Sequence, residues 1–111
     1  MADCLFCSIA AGGIPSDVVL ETNDVVAFND INPAAPTHVL VIPKRHVASA
    51  AELGPEDAGI LSSLFEAAAR VGRDLEGGWR LVTNVGPDAG QSVFHLHFHV
   101  LGGRPLSWPP G

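Results

Sequence analysis

The stretch His95-Leu96-His97-Phe98-His99-Val100-Leu101 constrains this chain more than any other. Extended backbone sends successive side chains to opposite faces, so residues two apart share a face. His95, His97 and His99 then form a ledge with steps of about 6.6 Å. Leu96, Phe98 and Val100 look the other way, and that wholly apolar face has to be buried, so the segment reads as a strand lying on a core. A single histidine on a strand is usually a hydrogen-bonded surface residue. Three in strict alternation, out of five in the chain, read as a site.

The rest of the chain supplies what such a strand needs. Residues 3–11 are apolar and Ala-rich and stop at Gly12-Gly13, which predicts a short N-terminal helix. Val18-Val19-Leu20 and Val25-Val26-Ala27-Phe28 flank the turn signal Asn23-Asp24 and predict a hairpin. Val39-Leu40-Val41-Ile42, short, β-branched and closed by Pro43, predicts a buried strand. Over residues 56–75, Leu61, Leu64, Ala68, Val71 and Leu75 recur at spacings of three and four. Pro55 suits a first helical turn and Gly77-Gly78 a stop, so this is one long amphipathic helix. Trp79 to Thr83 and Phe94 to Leu101 read as the last two strands, and the Pro-rich tail 104–111 as irregular.

At 111 residues the chain has room for one domain, 1–111, which folds without disulfide staples. Its net charge of −6 excludes nucleic acid and anionic membrane as general partners, since both call for a basic surface. No apolar run reaches the roughly 18 residues of a membrane span. The first residues lack a leader pattern, and Cys4 and Cys7 are too few for a secreted disulfide framework, so the expected location is the reducing cytoplasm. Only 16% of residues are charged, which points to surface covered by a second copy.

Two chemistries could use the histidine ledge. Three neutral imidazoles bind zinc and leave a fourth position for water. Alternatively, one imidazole is a nucleophile and its neighbours handle protons and anionic oxygens. The loop before the ledge, ending Gly90-Gln91-Ser92, favours the second, because close backbone approach and successive N–H groups suit an anion. Clustered histidines cannot all be charged, so a neutral ring is available near pH 7.

At these residues the sequence resembles the histidine triad (HIT) nucleotide-binding proteins, whose signature is His-x-His-x-His with apolar x. Ala35-Pro36-Thr37-His38 through Pro43-Lys44-Arg45-His46 is similar to another segment of that family. Gly90-Gln91-Ser92-Val93-Phe94 with the ending Trp108-Pro109-Pro110-Gly111 resembles its Hint branch, the purine nucleoside phosphoramidases. The resemblance implies an α+β fold: a curved antiparallel sheet, one long helix and a short N-terminal helix. It also implies a homodimer, and hydrolysis of nucleoside 5′-phosphoramidates with no cofactor required for catalysis. By position, His97 is the nucleophile, His95 and His99 flank it, and His38 supports the cluster. Asn84, Gly90, Gln91 and Ser92 match positions around the phosphate or leaving amine. Asp30 matches the ribose-binding carboxylate, and Phe6, Ile9, Ile14, Phe28 and Ile31 the purine slot. Read without the family, Asp30 is equally a turn residue, and the apolar residues are plain core. A dinucleoside polyphosphate hydrolase of the same family, or a nucleotide-binding adaptor with incidental catalysis, is the alternative. The tail around Trp108 either packs on its own domain or, by resemblance, tunes the leaving group at the partner's site.

Cys4-Leu5-Phe6-Cys7 is half of a metal site or a pair of buried thiols. With His46 and His95 it would make a Cys, Cys, His, His set suited to a structural zinc, as in some bacterial members of the family. Zinc and two reduced thiols both stay open. A His95 that binds zinc would leave the leaving-group proton to His99 or Ser92.

Overall fold

The computed structural model describes residues 4–111; the predicted helix start at Asp3 and the leader reading of Met1 to Asp3 lie outside them. A short helix α1 (Leu5–Ala10) leads into the hairpin β1 (Val18–Glu21) and β2 (Val25–Asn29). Strand β3 (Thr37–Pro43), helix α2 (Ala58–Gly72), β4 (Trp79–Val82) and β5 (Phe98–Gly102) follow. All neighbouring strands pair antiparallel, in the order β1-β2-β3-β5-β4. The expected α+β architecture is therefore the observed one.

Side-chain alternation divides the sheet into two faces. Val25 and Ala27 of β2, Val39 and Val41 of β3, and Phe98 and Val100 of β5 face α2, where Leu64, Ala67 and Ala68 complete the main core. Leu96 joins this core, as its alternation predicts. Val26, Phe28, Leu40 and Ile42 form a smaller cluster on the opposite face with Phe6 of α1. The strands buried on both faces are the ones that read as continuous apolar runs. Leu64 is fully buried, so Leu64→Ala would cost about 2–5 kcal/mol.

The long helix is shorter than its periodicity. Pro55–Asp57 forms a single 3₁₀ turn, where the Asp57 carboxylate accepts the Gly54 N–H at 3.0 Å. The α-helix ends at Gly72, where the Trp79 indole lies so close that the ring leaves no room for a Cβ. Beyond it the Leu75 N–H bonds to the Gly72 carbonyl at 2.9 Å and closes a turn outside the helix.

The last strand starts at Phe98, four residues later than Phe94. The Leu96 N–H bonds to the Val47 carbonyl at 2.6 Å, which draws residues 93–97 toward the segment after β3. On the other side β4 stops at Val82, and the Thr83 hydroxyl donates to the His97 carbonyl at 2.9 Å in place of a ladder bond. His95 and His97 therefore precede the regular strand, although their alternation with Leu96 and Phe98 persists. Among the described residues no helix is long and apolar enough to cross a membrane.

Candidate active site and metal centre

A cavity of about 360 Å³ opens on the α1 side of the sheet. His97 and His99 lie at its inner end, Phe6, Ile9, Ile14, Phe28 and Leu40 supply apolar wall, and Asp30, Ile31 and Ser92 lie on its rim. The Phe6 ring stands edge-on to His97, with centroids 5.1 Å apart, and edge-on to Phe28 at 5.6 Å. Ile31 is 92% exposed, so that wall of the slot is open to solvent.

The backbone fixes each ring's tautomer. His97 Nδ1 lies 2.7 Å from the carbonyl of His95, which can only accept, so Nδ1 carries the proton and Nε2 a lone pair. The Ala34 N–H donates to His38 Nδ1 at 2.9 Å, so the neutral His38 carries its proton on Nε2. That Nε2–H faces His99 Nδ1 at 2.9 Å, with the Asp30 carboxylate 3.4 Å away. His99 then carries its own proton on Nε2, a buried atom with no partner among the described residues. His97 and His99 have ring centroids 4.9 Å apart. A lone pair and an unspent N–H donor thus belong to neighbouring rings that both line the cavity.

Burial favours the neutral form of His38 and His99. Desolvation, then the neighbouring His97 and His38, pull His99 down to about 4. Desolvation also lowers His38, against the opposing pull of the Asp30 carboxylate. The Asp30 Oδ1 accepts the Asn32 N–H at 2.8 Å, closing a turn, and the residue lines the cavity.

His95 is brought somewhere else. Its Nε2–H donates to the Pro43 carbonyl at 2.8 Å, and its Nδ1 faces Cys4 Sγ at 3.3 Å and Cys7 Sγ at 3.5 Å. His46 Nδ1 lies 3.2 Å from Cys7 Sγ. The four ligand atoms lie within 4.8 Å of one another. In a tetrahedral zinc site of this composition, neighbouring sulfur and nitrogen ligands would be about 3.5 Å apart. The donor set and its spacing fit that ion, and the Pro43 carbonyl presents the His95 lone pair as a metal would require. Burial, reinforced by Cys4, pushes the Cys7 thiol up. Burial also lowers His95. Both ring nitrogens of His95 are engaged here, and the ring is not among the cavity residues.

The glycine loop does not turn its donors to the cavity. Gly90 N–H bonds to the Pro87 carbonyl and Gln91 N–H to that of Gly86. Gln91, only 4% exposed, spends its amide on the Gly86 N–H and on the carbonyls of Ala48 and Val93. Neither Asn84, Gly90 nor Gln91 lines the cavity; of that group only Ser92 does. Trp108 is 80% exposed and lies over the Arg80 guanidinium at 6.0 Å, while Arg80 also donates to the Ser107 carbonyl at 2.9 Å. Sequence reading missed Thr83, Ala34 and Pro43, because each acts on a histidine through a backbone atom or a short hydroxyl with no motif around it.

A HIT domain model matches residues 11–106. An uncharacterized HIT-like protein of Synechocystis is 48% identical over 98% of this chain and 97% of its own length. A 14 kDa zinc-binding protein of Zea mays is 46% identical over 96% of this chain and 87% of its own. Among solved structures, a HIT family hydrolase from Legionella pneumophila superposes with a TM-score of 0.93 at 47% identity, covering 98% of this chain and all of that one. One from Clostridium thermocellum gives 0.92 at 46%, covering 96% of both. The chain belongs to the HIT domain family, and its fold is that of the family's hydrolases.

Proposed function

We propose that the protein hydrolyses purine nucleoside 5′-phosphoramidates through a covalent nucleotidyl-histidine. The observation that carries this reading is the His97 tautomer: with Nδ1–H held by the His95 carbonyl, the lone pair belongs to Nε2, beside the unspent Nε2–H of His99. His97 Nε2 attacks the α-phosphorus, an N–P bond forms, and the P–N bond to the leaving amine breaks. The His99 Nε2–H donates to a phosphoryl oxygen as charge builds. The amine departs with the Ser92 hydroxyl proton, and the water that enters for the second step gives its hydroxyl to phosphorus and its other proton back to Ser92. Water then cleaves the N–P bond and frees the nucleotide and His97, so two modest barriers replace one.

Asp30 takes the ribose hydroxyls with the lone pairs not used by Asn32, and the purine lies between Phe28 and the isoleucines. His95 has no free nitrogen for the leaving group, so its part is to hold His97 through its carbonyl. A structural zinc on Cys4, Cys7, His46 and His95 belongs to the same reading. It is supported by the 3.2–3.5 Å spacings and by the maize relative's name. Such an ion would cross-link α1 to the segments on either side of it and take no part in the chemistry. Two copies would meet through the outer face of α2, where Leu61 and Phe65 are exposed, and through the unpaired edge of β4. The working location is the cytoplasm.

Intact mass after mixing with a slowly hydrolysed AMP-amine substrate tests the chemistry. An increment of one AMP is expected on the wild type and none on His97→Ala, which loses turnover but still binds AMP. Turnover by His97→Ala at more than a small fraction of the wild-type rate would falsify the nucleophile assignment.

A further inference from the structure

Arg104 lies outside the cavity and has no place in the chemistry above, yet its contacts lead into it. At the end of β5 the chain turns back through Gly103, whose φ of +91° and close approach to Pro36 both require glycine: a Cβ there would meet the proline ring at 2.8 Å. The turn lays Arg104 over the loop 32–36. Its guanidinium donates to the Ala34 carbonyl at 2.8 Å and to the Pro105 carbonyl at 2.9 Å. Ala34 is the residue whose N–H fixes His38, and His38 in turn fixes His99.

We propose that Arg104 is a positioning residue: by gripping Ala34 it keeps that N–H on His38 Nδ1 and so keeps the proton of His99, a residue that lines the cavity, on Nε2. The gripped carbonyl and the N–H belong to the two peptide groups that flank Ala34, so losing the grip frees that residue to rotate within a Pro-rich loop. His38 can then place its proton on Nδ1, turn Nε2 into an acceptor, and invite His99 to carry its proton on Nδ1. The cavity would lose a donor without losing any residue that lines it. The structural consequence stands on hydrogen-bond geometry alone; the kinetic consequence rests on the phosphoramidase reading.

The test combines ring tautomers with kinetics. Long-range ¹⁵N–¹H correlation spectra of the wild type at neutral pH should show His38 and His99 protonated on Nε2. Arg104→Met should show a mixture of tautomers at both rings, and Arg104→Lys, which keeps a donor, should restore most of the wild-type pattern. With an AMP-amine substrate, kcat should fall roughly tenfold in Arg104→Met, the scale of one lost hydrogen bond, with KM within twofold. Unchanged tautomers in Arg104→Met would overturn the proposal, whatever happens to the rate. If Arg104→Met does not fold, Arg104→Gln is read in its place. If the wild type cleaves no phosphoramidate, the spectra still decide the role of Arg104, and only the reading of function fails.

Discussion

The five histidines form two clusters that sequence alone makes look alike. In one, His95 and His46 face two thiols. In the other, His97 and His99 line the cavity with Asp30, and His38 is joined to His99. Each contains acid-type and imidazole ligands within a few ångströms, and each could be drawn as a metal site. What separates them is the partner of the far ring nitrogen. The Pro43 carbonyl takes the proton of His95 and turns its lone pair toward the thiols. The Ala34 N–H takes the lone pair of His38 and passes a proton toward His99, so that group is already joined N to N at 2.9 Å by a hydrogen bond. A backbone acceptor thus prepares a ligand and a backbone donor prepares an acid, on the same side chain.

Removing metal should divide the clusters most sharply. Purified protein is expected to hold about one zinc per chain, and Cys4→Ser to hold almost none. Chelation should lower the stability of the wild type, on the scale of about 4 kcal/mol for free zinc near a thousand times Kd. It should leave that of Cys4→Ser unmoved. Phosphoramidate hydrolysis that stops instantly with chelator, before any unfolding, would put the metal in the wrong cluster.

Acid should act on the other cluster next. His99 titrates at about 4 in the folded chain and near 6.5 when unfolded. Between those values the unfolded chain binds more protons, so stability falls as pH drops through that window and is unaffected above it. His38 and His95, lowered in the same direction, add to the slope. Thermal melts from pH 7 to 4 should therefore be flatter for His99→Gln than for the wild type, and parallel curves would remove His99 from the account.

The smallest expected effect tests which ligand the cavity prefers. Asp30→Ala should weaken AMP by about 1–3 kcal/mol, as for a hydrogen bond to a charged group, and leave 2′,3′-dideoxy-AMP nearly unchanged. Calorimetric titration giving equal losses for both ligands would make Asp30 only the turn residue that its bond to Asn32 describes.

Much of the architecture was legible because it rests on periodicity. The β2 and β3 runs are apolar on both faces because helices cover both, and Leu96, Phe98 and Val100 went to the core as their alternation required. Length was less legible. Residues 94–97 have the pattern of a strand but bond across to Val47, a long-range contact that no local pattern records. The glycine loop has the composition of an anion nest, yet it uses Gly90 and Gln91 to close on itself. The histidines were visible at once, but the division of labour among them was not, since it depends on the backbone of Pro43, Ala34 and His95, where one peptide looks like any other.

His95 has one further consequence. Its imidazole looks toward sulfur while its carbonyl looks toward the next histidine, and both hang on a single α-carbon. Neither can be re-aimed without dragging the other. Two neighbourhoods that exchange no side chain are therefore hinged on a common pivot, and a disturbance entering at the thiols has only a few covalent bonds to cross before it reaches the lone pair of His97.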